Sequence, residues 1–249
     1  DPFVLKKMKA LLQSGLTING KKYDVRIIEK DSQSSTDRAS NLAAQLIMKD
    51  KVDLLLVQDS LSSITAADQA ELNGVPAVST MMPWQAWMFP RKGDPKVGFE
   101  WTYHFFWGLE DVIAAYTDIW TSVPTNKAVG TIYSKDPGGE AFGSEEFGVP
   151  AALKKISYKE VKTGFFQEGA ADFSPQIGKF KAEKADIVTG HSHVPDFTTF
   201  WSQASQQKLK PKVVTVAAAL LFPSGLEAQG ERGDGLTTEV WWTPAHPYK

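Results

Sequence analysis

Residues Gly169–Asp196 read GAADFSPQIGKFKAEKADIVTGHSHVPD, and they carry one full period of the pattern that decides the fold. Ser174-Pro175 opens a helix, because a hydroxyl can cap free N–H groups and proline's fixed φ suits a first turn. Lys179-Phe180-Lys181-Ala182-Glu183-Lys184 supplies that helix with a solvated face. Ala185–Thr189 (ADIVT) then reads as a short buried strand, and Gly190–Asp196 leads into another helix over 196–207. Two of the chain's four histidines, His191 and His193, lie in that strand-to-helix loop.

The same alternation extends in both directions. Upstream, the spacing predicts helices over 3–13, 39–47, 62–73 and 109–120, with strands over 23–29, 52–57 and 75–79 and an irregular Pro/Trp-rich connection over 80–102. After Pro124 a second series follows, with strands at 127–133, 157–163, 185–189, 212–217 and 239–242. Helices near 146–155 and 223–229 complete it. Such alternation implies parallel sheets covered by helices on both faces, and the break near Pro124 implies two such units. In open parallel sheets, ligands bind beyond the carboxyl ends of the strands. Four loops meet that condition: Asp59–Ser63, Thr80–Trp84, Ser134–Gly143 and Gly190–Asp196.

Composition narrows the function. Of 249 residues, 42% are hydrophobic and 22% charged, and the formal net charge of −2 comes with no basic arm, so nucleic-acid binding is not expected. The absence of cysteine excludes thiolate metal sites, thiol nucleophiles and disulfides. No apolar run approaches the roughly 20 residues that span a bilayer, so no direct membrane insertion is expected. The chain opens on Asp1-Pro2, which leads to the expectation that a targeting segment has been removed.

Catalytic readings of the loops fail one after another. His191 and His193, at i and i+2, could share an ion, with Asp196 the nearby candidate for a further ligand. Gly-His-Ser-His-Val-Pro resembles the closing motif of calcineurin-like metallophosphoesterases, but that family's Asp-x-His, Gly-Asp-x-x-Asp and Asn-His-Glu/Asp motifs are missing, so no metal is expected. Gly138–Glu145 imitates a phosphate loop with an acidic residue where Lys-Ser/Thr is required. Neither a G-x-G-x-x-G nor a G-x-S-x-G element is present, and Ser62, Ser192 and Ser224 read as caps or turn residues. No catalytic residue and no cofactor is expected.

The second half resembles one family closely. The strand Lys127–Tyr133, a Gly-rich loop, Gly169–Ile177 with its Asp-Phe-Ser-x-x-Ile core, Lys184–Val188, and Phe200-Trp201-Ser202-Gln203-Ala204 follow the order seen in type I periplasmic binding proteins of the branched-chain amino-acid type. In the first half, Asp31-Ser32-Gln33, strand 52–57, the Ser-rich loop and Gly74–Ser79 agree. The resemblance implies an α/β fold of two Rossmann-like lobes with parallel sheets joined by a hinge, a Venus flytrap, incomplete at both ends. Lobe 1 would span 1–124, lobe 2 would span 125–240, and 241–249 would form the second hinge crossover. It further implies a receptor that closes on a small-molecule ligand and presents it to the membrane permease of an ABC transporter. A periplasmic or extracellular location follows, with a lipid anchor in the full-length protein as a variant.

By position, the resemblance assigns ligand contacts to Ser60, Leu61, Ser62, Thr80, Met81, Trp84, Trp107, Phe142, His191, Ser192, His193 and Ala217. Amino-acid-binding members place a carboxylate at the position of Ala217 to pair with the ligand ammonium. Here Ala217-Ala218-Ala219 is uncharged, so a small aromatic or apolar carboxylate is the expected ligand unless Asp136 or Glu110 substitutes. A sensory ligand-binding domain of a receptor and, behind it, a metallophosphoesterase-like hydrolase are the alternatives carried forward.

Overall fold

A computed structural model describes residues 2–33 and 35–240. In chain order the first elements are α1 (Pro2–Leu12), β1 (Leu16–Ile18), β2 (Lys21–Tyr23), α2 (Thr36–Met48), β3 (Leu55–Val57), α3 (Ser60–Asn73), β4 (Ala77–Ser79), α4 (Trp84–Met88) and β5 (Thr102–His104). Strands β3, β4 and β5 form a parallel sheet in that order. Helix α2 begins where the Ser35 hydroxyl accepts from the Arg38 amide, and it buries Ala39, Ala43 and Ile47, three of the stripe anticipated from spacing. Asp59 caps α3 by accepting from the Ser62 amide.

The strand expected over 23–29 is not formed. Lys21–Tyr23 instead pairs antiparallel with Leu16–Ile18, and residues 24–30 join no ladder. Asn19 and Gly20 both take positive φ, 49° and 79°, which is the geometry a two-residue hairpin turn demands. The local Asn-Gly turn thus takes the first residue of the apolar run, and β propensity without a partner strand does not make a strand.

Tryptophan also has structural work here. Trp87 is buried against Arg91, whose guanidinium lies 4.3 Å from the Trp87 ring and 3.8 Å from Phe99. The same guanidinium meets Asp68 at 2.7 Å and Thr102 at 3.0 Å, so a buried cation is stacked, ion-paired and hydrogen-bonded together.

The remaining elements are α5 (Leu109–Ser122), β6 (Ala128–Ser134), α6 (Pro137–Phe142), α7 (Val149–Lys155), β7 (Lys159–Phe166), α8 (Ser174–Ala182), β8 (Ile187–Ser192), α9 (Val194–Gln206), β9 (Val213–Ala218), α10 (Pro223–Glu227), a 3₁₀ turn at Gly230–Gly233, and β10 (Leu236–Thr237). The sheet is all parallel, in the order β10-β9-β8-β6-β7. Every residue of β6 and β8 is buried, which explains their unbroken apolar and small-residue runs. Helices α8 and α9 pack through Phe173, Phe180, Phe197 and Phe200. Phe173 and Phe180 each meet Phe200 edge-on, at 5.7 and 6.4 Å, contacts worth about 0.5–1.5 kcal/mol beyond burial.

Contacts divide the described residues into two units, one holding those up to Met82 together with Trp87–Phe106, the other Pro83–Ala86 and those from Trp107 to 240. The division expected at Pro124 therefore falls between Phe106 and Trp107. Helix α5 belongs to the second unit because Trp120 is fully buried there, donating its indole N–H to Thr215 at 3.0 Å, and Tyr116 donates to Glu239. Of the strand expected at 239–242, residues 239–240 join no ladder and 241–242 lie outside the described residues, as does the expected crossover at 241–249; the last strand, β10, lies instead at Leu236–Thr237.

Strands β6 and β8 meet at Gly190, which pairs with Ile132 at φ +142°. A Cβ there would overlap the Ile132 carbonyl oxygen. Gly190→Ala should lower stability by about 2–3 kcal/mol or more, from strained backbone and a backbone clash. Gly178→Ala, on an exposed and uncrowded position of α8, should gain about 0.5–1 kcal/mol. Urea denaturation of the two variants checks both signs.

Candidate functional site

Strand β6 is followed in space by β7 on one side and by β8, β9 and β10 on the other. The order in which strands are added therefore reverses between β6 and β8, and in open parallel sheets it is at such a switch point that loops diverge and ligands bind beyond the strand ends. Ser134 ends β6 and Asp136 follows it; His191 and Ser192 end β8 and His193 follows them. Glu168 comes from just beyond β7, the other neighbour of β6.

One buried carboxylate organises this group. Asp136 caps α6, with Oδ1 accepting from the Gly139 amide at 3.0 Å, and its side chain is only 7% exposed. Its Oδ2 faces His193 Nε2 at 3.4 Å, while His191 Nδ1 stands 3.9 Å from Oδ1. Glu168 Oε1 approaches the same His193 nitrogen at 3.9 Å. His191 Nδ1 is 2.9 Å from the Ser134 hydroxyl, and the two imidazoles lie nearly perpendicular with centroids 5.3 Å apart.

The two histidines are pushed in opposite directions. Burial drives His191 down to about 4, although the Asp136 carboxylate pulls the other way, so this ring is neutral near pH 7. His193 rises above the ordinary histidine value because Asp136 stands beside it, with Glu168 and Asp196 adding to the effect. Burial alone would raise Asp136, but His193 and His191 outweigh it and hold the carboxyl well below the usual carboxylate range. Asp196, the ligand expected to complete the pair of histidines, accepts instead from the Gly169 amide at 2.8 Å.

The structure sorts the residues assigned by position. His191, Ser192, Phe142 and Ala217 are all buried, with Phe142 and Ala217 each 1% exposed, whereas His193, Trp84 and Trp107 are partly exposed. Phe142 packs on the His191 ring at 5.5 Å. Trp84 donates its indole N–H to Glu110 at 3.0 Å, and the Trp84 amide donates to the Trp107 carbonyl at 3.3 Å. Gln85 donates to the other Glu110 oxygen, so that carboxylate is already engaged.

In the first unit, Ser60, Leu61 and Ser62 make the first turn of α3, and the Ser62 hydroxyl is buried without a hydrogen-bond partner. Thr80 donates to the Phe105 carbonyl at 2.7 Å, and Ser63 bonds the Thr80 carbonyl at 3.1 Å, which ties the two carboxyl-edge loops together. Met81, two residues past β4, and Ala218, the last residue of β9, hold positive φ of 80° and 66°. Non-glycine residues in this region are strained, and such strain collects at binding loops.

Glu168 was missed by the sequence reading, and Asp136 entered it only as a substitute counter-charge. Asp136-Pro137 carries the helix-capping signal. Glu168 carries none, because its closeness to His193 depends on β7 and β8 flanking the same strand. Imidazole resonances followed by NMR should show His193 titrating above 6.5 and His191 remaining neutral down to about pH 4. In Asp136→Asn the His193 transition should move down. Equal titration of both rings near 6.5 would contradict this electrostatic arrangement.

Comparison with known proteins identifies the family. A family model described as periplasmic binding protein matches residues 8–248. No curated protein sequence matches. A leucine-binding protein from Thermotoga maritima superposes with a TM-score of 0.75 at 21% identity, covering 98% of this chain and 67% of its own. A type 1 periplasmic binding protein from Bordetella pertussis gives 0.72 at 17% identity, covering 95% and 61%. A branched-chain amino-acid transporter substrate-binding protein from Streptococcus pneumoniae, solved with isoleucine, gives 0.66 at 16% identity, covering 92% and 60%. The chain thus spans roughly three fifths to two thirds of these structures. With its parallel sheets, its match over nearly the whole length and these superpositions, the chain belongs to the periplasmic binding protein family and has the type I fold of these ligand-binding proteins.

Proposed function

We propose that the protein is an extracytoplasmic solute-binding protein that hands a small carboxylate to the permease of an ABC transporter. The observation that carries this reading is the meeting of Asp136, His191 and His193 at the switch point of the second unit's sheet, with His193 accessible. Among the described residues, no helix is long and apolar enough to cross a membrane. That is compatible with a receptor that works through a separate permease.

The ligand class follows from where charge is and is not available. Ala217 offers no carboxylate, and an unpaired buried ammonium costs several kcal/mol. Glu110 is engaged by Trp84 and Gln85, so it is a poor substitute. Asp136 already directs its open oxygen at His193, so an α-ammonium there would compete with a positive imidazole. A carboxylate meets the opposite situation, because the exposed part of His193 attracts it. These points favour an aromatic or apolar acid without an α-amino group.

Calorimetry at pH 7 with benzoate, succinate, leucine and glutamate tests this. The expected order places an acid lacking an α-amino group tightest, and His193→Ala should weaken it about tenfold, the loss of one charge-assisted hydrogen bond. Leucine binding at about micromolar Kd with no heat from benzoate would overturn the ligand class.

A further inference from the structure

Asp136 Oδ2 and His193 Nε2 face each other, both are shut off from solvent, and neither has a hydrogen-bond partner. They meet only each other, as an ion pair without a well-formed hydrogen bond, and a buried polar group left short of a good bond loses up to about 1–3 kcal/mol. A direct ion pair answers the need poorly. Their separation of 3.4 Å lies beyond the roughly 2.7–2.9 Å of a charge-assisted N–H···O bond.

That separation does suit a shared ion. Bonds of about 2.0–2.1 Å in a tetrahedral site put neighbouring ligand atoms about 3.3–3.4 Å apart. Glu168 Oε1 is 3.9 Å from the same nitrogen, and its side chain, 53% exposed, can close the remaining gap by rotation. Asp136, Glu168 and His193 offer three ligand atoms that all lie within 4.8 Å of one another, a grouping found at no other place among the described residues. The carboxylate is aimed in advance, because its other oxygen is held by the Gly139 amide, as outer hydrogen bonds commonly orient metal ligands.

We infer that Asp136, His193 and Glu168 form a binding site for a divalent first-row transition ion such as Zn²⁺, with one coordination position left open. One imidazole nitrogen and two carboxylate oxygens make a borderline-to-hard set that suits Zn²⁺, Mn²⁺ or Co²⁺. His191 is not a ligand, since its Nδ1 is engaged with Ser134 and its ring stands perpendicular to that of His193. It lies against Asp136 Oδ1 as a neutral neighbour. The open position lies on the side of the partly exposed His193 and Glu168. With an ion bound there, a carboxylate solute would meet the ion rather than the imidazole.

Chelator-treated protein titrated with ZnCl₂ by calorimetry should take up one ion per chain. Cobalt(II) should give visible absorption bands typical of a low-coordinate site. His193→Ala and Glu168→Gln, both at partly exposed side chains, should each weaken Zn²⁺ binding roughly tenfold or more. Asp172→Asn, at an exposed carboxylate elsewhere, should leave it unchanged. Absence of stoichiometric uptake, or uptake unaltered in both site variants, would overturn the site. Loss in His193→Ala with no change in Glu168→Gln would overturn the three-ligand assignment. No solute enters this titration, so its outcome is separate from the calorimetry with carboxylates.

Discussion

The contact on which the second unit depends is the approach of Gly190 to the carbonyl of Ile132. Two neighbouring strands, each buried along its length, can pair without a gap there only because position 190 has no side chain. That pairing puts Tyr133 opposite His191 and brings Ser134 within 2.9 Å of the His191 ring. It also sets the switch point, because β6 and β8 are the pair between which the strand order reverses. Packing of the sheet and placement of polar groups are therefore one constraint, and the loops inherit their positions from the ladder beneath them.

On that frame, a single buried carboxylate gives two similar side chains different properties. His191 is enclosed and neutral; His193 is partly exposed and attracts a proton through Asp136. The difference arises over two residues of chain, since His191 is the penultimate residue of β8 and His193 stands at the N-cap position of α9. A carboxyl-edge loop thereby leaves one imidazole partly exposed while keeping its neighbour for packing against Phe142.

Periodicity made most of the fold readable. The stripe through Ala39, Ala43 and Ile47, the runs at β6 and β8, and the Ser-Pro start of α8 all carry local signals strong enough to stand alone. Residues 23–29 show where that reasoning stops, because a β-rich run becomes a strand only when a partner is at hand. Pro124 is read similarly: proline marks the end of α5, while the burial of Trp120 against Thr215 groups that helix by contacts with the second unit. Of the site, His191 and His193 were visible as residues but not as unlike ones. The pairing of His193 with Asp136 and Glu168 joins loops separated by 57 and 25 positions in sequence, and strand order alone creates it.

On the proposed function, solute binds at the carboxyl edge of β6 and β8. Hydrogen–deuterium exchange, with and without the tightest-binding of the carboxylic acids at saturation, tests it most directly. Amides in residues 134–143 and 190–196 should slow markedly while those of α8 stay unchanged. Protection absent from both loops, with slowing confined to α8 or to the β1–β2 hairpin, would contradict it.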